Sequence, residues 1–382
     1  MNDRTAAVVG AGIGGLATAI ALRQAGWKVV VHEAADAVDP VGAGISIWPN
    51  GVRALRDLGL HALVDNAPRP DTAVRRSDGS PLAAMQSSLL EARYGEPLIG
   101  LHRADLHGAL LAGLGDGHLR LGARATGVTE GVLQFEDGST VGADLIVGAD
   151  GVHSIVRQVL HGDGDLRDSG LVAIRGVADF DGALAEGEWW GPRGSFGAMA
   201  IGGGRVYWFI SYRGEPTLGA LERYLPDFGP QARELAAHTP EKRLLVHRLL
   251  DRPPRRRWSG GNATLLGDAA HPMLPFLGQG ACSALEDAVA LGRALRDAPT
   301  VSDALARYER DRVKPTAALV NGSRRMARLI FLKPQLAKRV RNVTVSLVPT
   351  SLQFRQLDPF LADPQASGRH RRGPNGDQTE SN

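Results

Sequence analysis

The sequence predicts an α/β protein in which a parallel-sheet domain is interleaved with a second, β-sheet domain. A strand, a glycine-rich turn, a helix and a second strand follow one another within the first 33 residues, which is the order of a βαβ unit. The pattern changes to strands of period two over 171–250 and returns to strand and helix after 263. A chain of 382 residues is long enough to build two such domains.

The first unit has the pattern of a Rossmann-like dinucleotide site. Its turn contains Gly10, Gly12, Gly14 and Gly15 directly after the apolar run 6–9. Gly12 would let the backbone approach a pyrophosphate, and Gly15 would let the following helix pack on its strand with its N-terminus facing the phosphates. Glu33 ends the second strand, where a carboxylate can accept hydrogen bonds from a ribose diol. Because the chain contains 48 glycines, the glycine pattern alone is weak evidence for such a site. The flanking strand and helix and the acid at residue 33 are the stronger evidence.

Composition excludes several classes of protein. Hydrophobic residues make up 43% and charged residues 22% of the chain, and no stretch approaches the roughly 18 apolar residues of a membrane span. Cys282 is the lone cysteine, which excludes an internal disulfide and a multi-cysteine metal site and fits a reducing cytoplasm. A net charge of +3 is too small to indicate nucleic-acid binding.

Two C-terminal regions differ from the rest. Residues 312–357 contain ten Lys or Arg residues and no acidic residue. Solvated helix faces are the simplest interpretation, so we do not expect membrane contact; a basic amphipathic segment that touches an anionic membrane surface or partner is the alternative. Residues 364–382 are rich in Gly, Pro, Arg and Gln and are predicted to be disordered.

Glycine and turn signals divide the first half of the chain into short elements. The turn-rich segment 69–97 interrupts the α/β pattern. The other predicted elements are a helix over 14–25, a glycine loop over 41–46, a helix over 52–58 with Asn50 as its N-cap, a helix over 104–114, a hairpin around 136–139 and a buried strand over 145–147.

The β-rich segment contains an aromatic cluster. Seven of the chain's twenty aromatic residues fall between Trp189 and Tyr212, and residues 202–204, all glycine, form a tight connection between two strands. The cluster is either the packing face of a sheet or the wall of a pocket for a flat ligand. Alternation places residues 207, 209 and 211 on one face and Trp208 on the other.

Two further motifs point to a particular family. Residues 145–157 predict a strand, an Asp150–Gly151 turn and a helix capped near Ser154. Residues 263–284 predict a strand, a loop that contains Asp268 and 275–280, and the start of a long helix over 283–296. With the opening unit, over residues 5–325, these motifs resemble the single-component FAD-dependent aromatic hydroxylases, the p-hydroxybenzoate and salicylate hydroxylase group. Residues 41–60 and 278–291 are most similar to the small urate and salicylate hydroxylase branch.

This resemblance implies a Rossmann-like FAD-binding domain with an interleaved β-sheet substrate domain. We assign 1–68, 98–170 and 258–345 to the FAD-binding domain and 69–97 and 171–257 to the substrate domain. Residues 346–363 form a C-terminal segment, and 364–382 the predicted disordered tail.

The resemblance also implies which residues hold FAD. The first glycines and Glu33 would bind its ADP half, Arg103 would reach the cofactor from the start of its helix, and Asp268 would bind the ribityl chain. Asp150 and Gly151 match a motif implicated in contacts with FAD and NAD(P)H. The structural alternatives are a surface position for Arg103, a turn role for Asp150 and a helix-cap or turn role for Asp268. The complete set is Gly10, Gly12, Gly14, Gly15, Glu33, Gly44, Arg103, Asp150, Gly151 and Asp268.

Physical reasoning supports a reactive loop at 275–280. A helix that begins just after Gly280 would direct its N–H groups and positive dipole end at the negative charge of a reduced flavin near N1 and O2. We expect His271 to orient this loop and Cys282 to pack as a small side chain. The expected catalytic loop residues, whose apolar members would exclude water, are Pro275, Phe276, Gly278, Gln279 and Gly280.

The predicted substrate pocket contains Phe196, Tyr207, Phe209 and Arg193. Urate-oxidising members of the family place an arginine on the strand that faces the substrate. Here Ser195 and Phe196 lie near that point and Arg193 lies slightly upstream, which argues against urate.

The implied function is that of a monooxygenase. NAD(P)H would reduce FAD, O2 would add to form a flavin C4a-hydroperoxide, and its distal oxygen would pass to an electron-rich phenolic or heteroaromatic ring. The single GxGxxG motif indicates that NADH or NADPH visits transiently. The alternatives are a reductase or dehydrogenase of the same fold and a flavin-binding protein without turnover. We expect a small aromatic substrate, no metal and no nucleic acid, and a cytoplasmic monomer or homodimer.

Overall fold

A computed structural model describes residues 4–38, 42–162, 164 and 166–363. The tail predicted to be disordered, 364–382, and residue 41 of the second glycine loop lie outside these ranges. The strands are β1 Thr5–Val9, β2 Lys28–His32, β3 Gly44–Ile47, β4 Thr72–Arg76, β5 Pro81–Met85, β6 Ile99–His102, β7 Leu119–Arg120, β8 Ala125–Thr129, β9 Val132–Phe135, β10 Thr140–Gly142, β11 Leu145–Gly148, β12 Arg167–Asp179, β13 Gly187–Trp190, β14 Gly194–Ala200, β15 Arg205–Arg213, β16 Leu245–Asp251 and β17 Ala263–Leu265.

Helices connect and cover these strands. They are α1 Ile13–Gln24, α2 Pro49–Asp57, α3 His61–Asp65, α4 Ser87–Tyr94, α5 Arg103–Leu114, α6 Ile155–His161, α7 Ala220–Tyr224, α8 Gly229–Ala237, α9 Gly280–Asp297, α10 Val301–Ile330, α11 Gln335–Leu347 and α12 Thr350–Leu361. Short 3-10 turns lie at Gly267–Ala269 and Pro275–Leu277, on either side of His271.

The first sheet is parallel and has the strand order β17-β11-β1-β2-β7. Its central strands β1 and β11 are runs of small or branched apolar residues that are almost completely buried, as expected for strands covered on both faces. Helices α1 and α9 pack closely: a Cβ at Gly292 would lie 2.9 Å from the Ala21 carbonyl oxygen. Near the N-termini of these helices, a Cβ at Gly14 would lie 2.8 Å from Leu266, directly after β17, and 3.4 Å from Ala284 of α9.

The second sheet contains seven strands in the order β16-β12-β15-β14-β13-β4-β5. Its neighbours are antiparallel except for β13 and β4. Gly202, Gly203 and Gly204 all have positive φ angles and connect β14 to β15, as predicted. One face carries Trp208, Ile210 and other buried side chains, which pack against residues of α7 and α8. The opposite face of β15 is directed towards the parallel-sheet domain.

Helix α2 begins earlier than predicted. Its N-cap is Trp48, because Pro49 at the first helical position fixes a helical φ angle and needs no N–H partner there. Asn50 is therefore not the cap. It is 2% exposed, and its amide donates to Gln279 Oε1 at 2.9 Å and to Glu286 Oε2 at 3.1 Å. Asn50 thus connects α2 to the start of α9.

The basic C-terminal region contains the C-terminal part of α10, all of α11 and part of α12. The prediction of solvated helix faces is wrong for three of its arginines: Arg312 and Arg341 are buried, and Arg324 forms an ion pair with the buried Asp251 at 2.6 Å. None of the helices in the described ranges is both long enough and apolar enough to cross a membrane.

Candidate active site

A cavity of about 390 Å³ lies where the N-termini of α1 and α9 meet strand β3 and one face of the second sheet. Twelve of the predicted site residues line it, although they come from all parts of the chain. They are Gly12, Gly14, Gly44, Arg103, Gly151, Tyr207, Phe209, Asp268, Pro275, Phe276, Gly278 and Gly280.

Two helix N-termini open into this cavity. The N-cap of α1 is Gly12 and that of α9 is Gln279, and no side chain in the described ranges accepts a hydrogen bond from the first turn of either helix. The first N–H groups of a helix have no partner within the helix. Both ends therefore offer hydrogen-bond donors and the positive end of a helix dipole to an anionic ligand.

The glycines of the first turn have two different roles. Gly10 has a φ angle of +97°, and a Cβ at Gly15 would lie 1.9 Å from the Gly10 carbonyl oxygen, so these two positions require glycine for the fold itself. Gly12 differs, because no atom of the described chain lies within 4 Å of a Cβ built there. The space in front of Gly12 belongs to the cavity.

Glu33 lies beside this turn rather than in the cavity wall. Its Oε2 accepts a hydrogen bond from the Ala11 N–H at 2.7 Å, and its Oε1 accepts one from the Ala35 N–H at 3.0 Å. These bonds fix the carboxylate next to the α1 N-terminus. Each oxygen has a second lone pair that can accept from a ligand hydroxyl.

Asp268, Arg103 and Arg175 all line the same cavity. The Asp268 carboxyl group faces the cavity but is surrounded by protein atoms. This burial raises its pKa, whereas the charges of His271, Arg103 and Arg175 lower it. Burial lowers the pKa of Arg103, as does Arg175, whereas Asp268 opposes the shift. Arg103 is accessible through the cavity, whose wall it forms together with Asp268.

A buried ionic network holds the loop that carries Asp268. Asp287 on α9 lies 2.5 Å from His271 Nε2, accepts from Arg312 Nε at 2.6 Å and accepts from the Gly267 N–H at 3.2 Å. Although burial acts in the opposite direction, His271 and Arg312 hold the pKa of Asp287 below its usual value. His271 therefore anchors the loop, as predicted, and Gly267 positions the neighbouring Asp268.

Asp150 and Gln279 lie next to the cavity but do not line it. Asp150 Oδ2 accepts from the N–H of Ile155 at 2.8 Å, at the start of α6, and burial raises its pKa. This contact gives Asp150 a structural role at the start of α6. Gln279 is buried and accepts from Asn50, so its side chain positions the start of α9.

Two of the predicted substrate-pocket residues lie elsewhere. Phe196 pairs with Ile210 across β14 and β15, which places it on the same face as Trp208 and 5.8 Å, between ring centroids, from Phe228. Arg193 is a surface residue that binds Asp227 at 2.8 Å and lies over the Tyr224 ring. Neither residue lines the cavity, because the register of the β14–β15 hairpin directs Phe196 away from it and Arg193 precedes the strand.

Several residues of the cavity wall were not predicted. The most important are Arg175 on β12 and Glu188 on β13, because each places a charged side chain in the cavity. A charge inside an otherwise apolar strand, as in 171–178 or 187–190, is the signal that could have identified them. The other unpredicted wall residues on the second sheet and the reactive loop include Ala173, Ser211, Met273 and Leu274.

Comparison with known proteins identifies the family. The model of the FAD binding domain family FAD_binding_3 matches residues 3–323. The chain belongs to this family. It is 37% identical over 342 residues to the aurachin C monooxygenase/isomerase of Stigmatella aurantiaca, covering 85% of this chain and 89% of the relative. It is 35% identical over 343 residues to the FAD-dependent urate hydroxylase of Klebsiella pneumoniae, covering 84% and 88%.

Solved structures show the same relationship. The crystal structure of Klebsiella pneumoniae HpxO complexed with FAD and uric acid has a TM-score of 0.87 and 28% sequence identity, and the match covers 95% of this chain and 98% of that one. The predicted Rossmann-like α/β fold and the FAD cofactor are confirmed. The chain is an FAD-dependent monooxygenase of the single-component aromatic hydroxylase type, and the relatives favour this interpretation over the reductase alternative.

Proposed function

We propose that this FAD-dependent monooxygenase uses NADH or NADPH and O2 to hydroxylate an electron-rich aromatic or heteroaromatic small molecule in the described cavity. One observation carries the proposal: the cavity extends from two helix N-termini, neither capped by a side chain in the described part of the chain, to the aromatic face of a sheet. The first end suits an anionic dinucleotide, and the second suits a flat ring.

The residues of the first turn fit the ADP half of FAD. The open space in front of Gly12 would admit a pyrophosphate within reach of the α1 N–H groups, and any side chain there would fill it. Glu33 would accept hydrogen bonds from the ribose hydroxyls through its remaining lone pairs. The carboxylate is already fixed by two backbone N–H groups, so little ordering is needed when the cofactor binds.

The flavin half fits the opposite side of the cavity. Asp268 would accept from ribityl hydroxyls, while Arg103 would keep this end of the cavity positive. The N-terminus of α9, reached past Gly278 and Gly280, would stabilise negative charge on the reduced ring system. Bound FAD would supply electron transfer from NAD(P)H and the activation of O2.

Apolar side chains from the reactive loop would keep water out of the reaction space. Leu274, Pro275 and Phe276 line the cavity, and the Phe276 ring packs 5.8 Å, between centroids, from Phe331 on the far side of the loop. Exclusion of water favours transfer of oxygen to the substrate over release of H2O2. The protein thus contributes orientation, charge stabilisation and a dry cavity.

The substrate ring would lie against Tyr207 and Phe209. Both side chains line the cavity, with their ring centroids 6.0 Å apart. The relative named as a urate hydroxylase suggests a purine, but Arg193 is engaged by Asp227 at the surface. We therefore infer a substrate other than urate. The lone cysteine is consistent with a reducing, cytoplasmic location.

A screen of aromatic compounds tests the proposed function. NAD(P)H consumption by the purified holoenzyme is measured with each compound, together with H2O2 and hydroxylated product. At least one phenolic or heteroaromatic compound should accelerate NAD(P)H consumption and yield product. Accelerated consumption that yields only H2O2 with every ring compound would contradict the proposal.

A further inference from the structure

One row of residues crosses five strands at the base of the cavity. The paired residues, from β12 to β4, are Arg175, Phe209, Gly197, Glu188 and Val74. Neighbouring strands are separated by about 4.8 Å, so the α-carbons of Arg175 and Glu188 lie roughly 14 Å apart. Both side chains line the cavity. The Arg175 cation and the Glu188 carboxyl group therefore lie three strands apart in one row.

The middle of the row is flat and apolar. A Cβ at Gly197 would lie 2.3 Å from the Phe209 ring, so the ring covers this glycine. Tyr207 lies next to Phe209 on the same face. A flat aromatic substrate that lies on this surface would therefore have a cation near one end and a carboxyl group near the other.

One carboxyl oxygen of Glu188, Oε1, is buried without a hydrogen bond from a described residue. The neighbouring Ser195 hydroxyl and Trp190 indole N–H are likewise buried and donate no hydrogen bond to any described residue. Burial raises the pKa of Glu188 to about 7, and the Ser195 O–H and Trp190 N–H groups, which lie near the carboxyl group as potential donors, oppose this shift. Buried polar groups without a protein partner are uncommon and commonly serve a ligand.

The charged groups on the elements around Glu188 are directed elsewhere. On β4, Arg76 donates to the Ser80 hydroxyl at 3.0 Å. On α11, Arg341 lies over the Trp190 ring and donates to the Ile330 carbonyl at 2.8 Å. The remaining cations on these two elements are Arg75, which lies over the Trp189 ring, Lys338, which donates to the Pro192 carbonyl, and the exposed Arg339.

We propose that Glu188 determines specificity by accepting a hydrogen bond from an O–H or N–H group on the substrate ring, at the end of the cavity remote from Arg175. The proposal rests on the proposed function, because it assumes that the ring lies on Phe209. A carboxylate at this end rejects anionic substituents and favours donors. The substrate class is thus a hydroxy- or amino-substituted aromatic ring whose acidic or carbonyl substituents, where it has them, face Arg175.

Matched ligand pairs test this assignment. The probes are phenol with anisole, 3-hydroxybenzoate with 3-methoxybenzoate, and 3-aminobenzoate with 3-dimethylaminobenzoate. Dissociation constants are measured from the change in flavin absorption of the holoenzyme, without NAD(P)H. The wild type should bind the donor of at least one pair about tenfold or more tightly than its alkylated partner. Glu188→Ala should remove that preference by weakening donor binding alone.

The pH dependence distinguishes a ligand contact from a structural role. Donor affinity should rise by up to about tenfold between pH 6 and pH 8 as Glu188 ionises, since a charged carboxylate accepts a stronger bond than the protonated acid does. In Glu188→Gln, whose amide oxygen still accepts, this dependence should disappear. The matched control is Glu186→Gln, because Glu186 lies two residues away and accepts from the Ala200 and Asp71 N–H groups outside the cavity. Its ligand affinities should equal those of the wild type.

Three results would overturn the proposal: equal weakening of donors and alkylated partners in Glu188→Ala, a pH dependence that survives in Glu188→Gln, or a wild type with no preference in any pair. Reduction of the wild-type flavin by NAD(P)H, followed separately, tests the proposed function. Normal flavin reduction together with any of the three results would reject the role of Glu188 and leave the proposed function standing.

Discussion

Removal of the Asp287 carboxylate should destabilise the protein and release the loop that carries Asp268. Asp287 is fully buried and holds Arg312 at 2.6 Å and His271 at 2.5 Å. In Asp287→Ala, the buried Arg312 guanidinium would retain only the Glu286 carboxylate at 3.2 Å and the Ser283 carbonyl. Breaking a buried ion pair by removing one partner typically lowers the free energy of unfolding by about 3–5 kcal/mol.

That loss corresponds to a measurable change in melting temperature. With an unfolding entropy of about 2.1 cal/mol/K per residue, a chain of 382 residues should melt about 4–6 °C lower. The assay is differential scanning calorimetry with saturating FAD. The matched control is Asp297→Ala, which removes an exposed partner of Arg307, 3.1 Å away, from the same helix. An exposed pair contributes about 0–1 kcal/mol, so this variant should melt within about 1 °C of the wild type.

The pH dependence gives a second test of the same network. Because the pKa of Asp287 is lowered in the folded state, its stabilising effect is complete above the pKa of the unfolded chain, about 3.9, and is lost as the pH falls through the folded-state value. The difference in melting temperature between wild type and Asp287→Ala should therefore be largest near neutral pH and shrink below about pH 4. Equal melting temperatures for the wild type and Asp287→Ala at pH 7 would refute the reasoning.

Three further substitutions test the cofactor and reaction space. Gly12→Ala should leave the melting temperature of the FAD-free protein unchanged, because no described atom lies within 4 Å of the new Cβ, yet weaken FAD binding at least about tenfold; unchanged affinity in a fluorescence titration would place the pyrophosphate elsewhere. Glu33→Ala should weaken FAD binding by about 1.5–3 kcal/mol, and full flavin retention after gel filtration would remove Glu33 from the site. Phe276→Ser should raise H2O2 and lower product per NAD(P)H consumed; the remote control Phe360→Ser should not, and unchanged coupling in Phe276→Ser would show that the loop does not protect the reaction.

Local sequence signals were sufficient for the parts of the fold that depend on local structure. The βαβ unit, the glycine hairpin at 202–204 and the long helix after Gly280 all follow from periodicity, glycine positions and capping. The alternation that separates Tyr207 and Phe209 from Trp208 has a period of two, so it could be read within one strand.

Features that depend on how distant strands align could not be predicted in this way. A shift of one residue in the β14–β15 hairpin would exchange the two faces of β14, so the sequence did not determine that Phe196 lies away from the cavity. The row that joins Arg175 to Glu188 depends on three successive strand registers. The contact between Asp287 and Arg312 requires the packing of α10 on α9. Each of these results from tertiary structure, for which a single sequence carries no local pattern.

Incorporation of oxygen from O2 tests the central claim most directly. A ring compound that accelerates NAD(P)H consumption is incubated with the holoenzyme under oxygen-18 gas, and the product is analysed by mass spectrometry. For a monooxygenase, the product should contain one oxygen-18 atom from O2. A product that forms at the expense of NAD(P)H without any label from O2 would contradict this claim and support the reductase alternative.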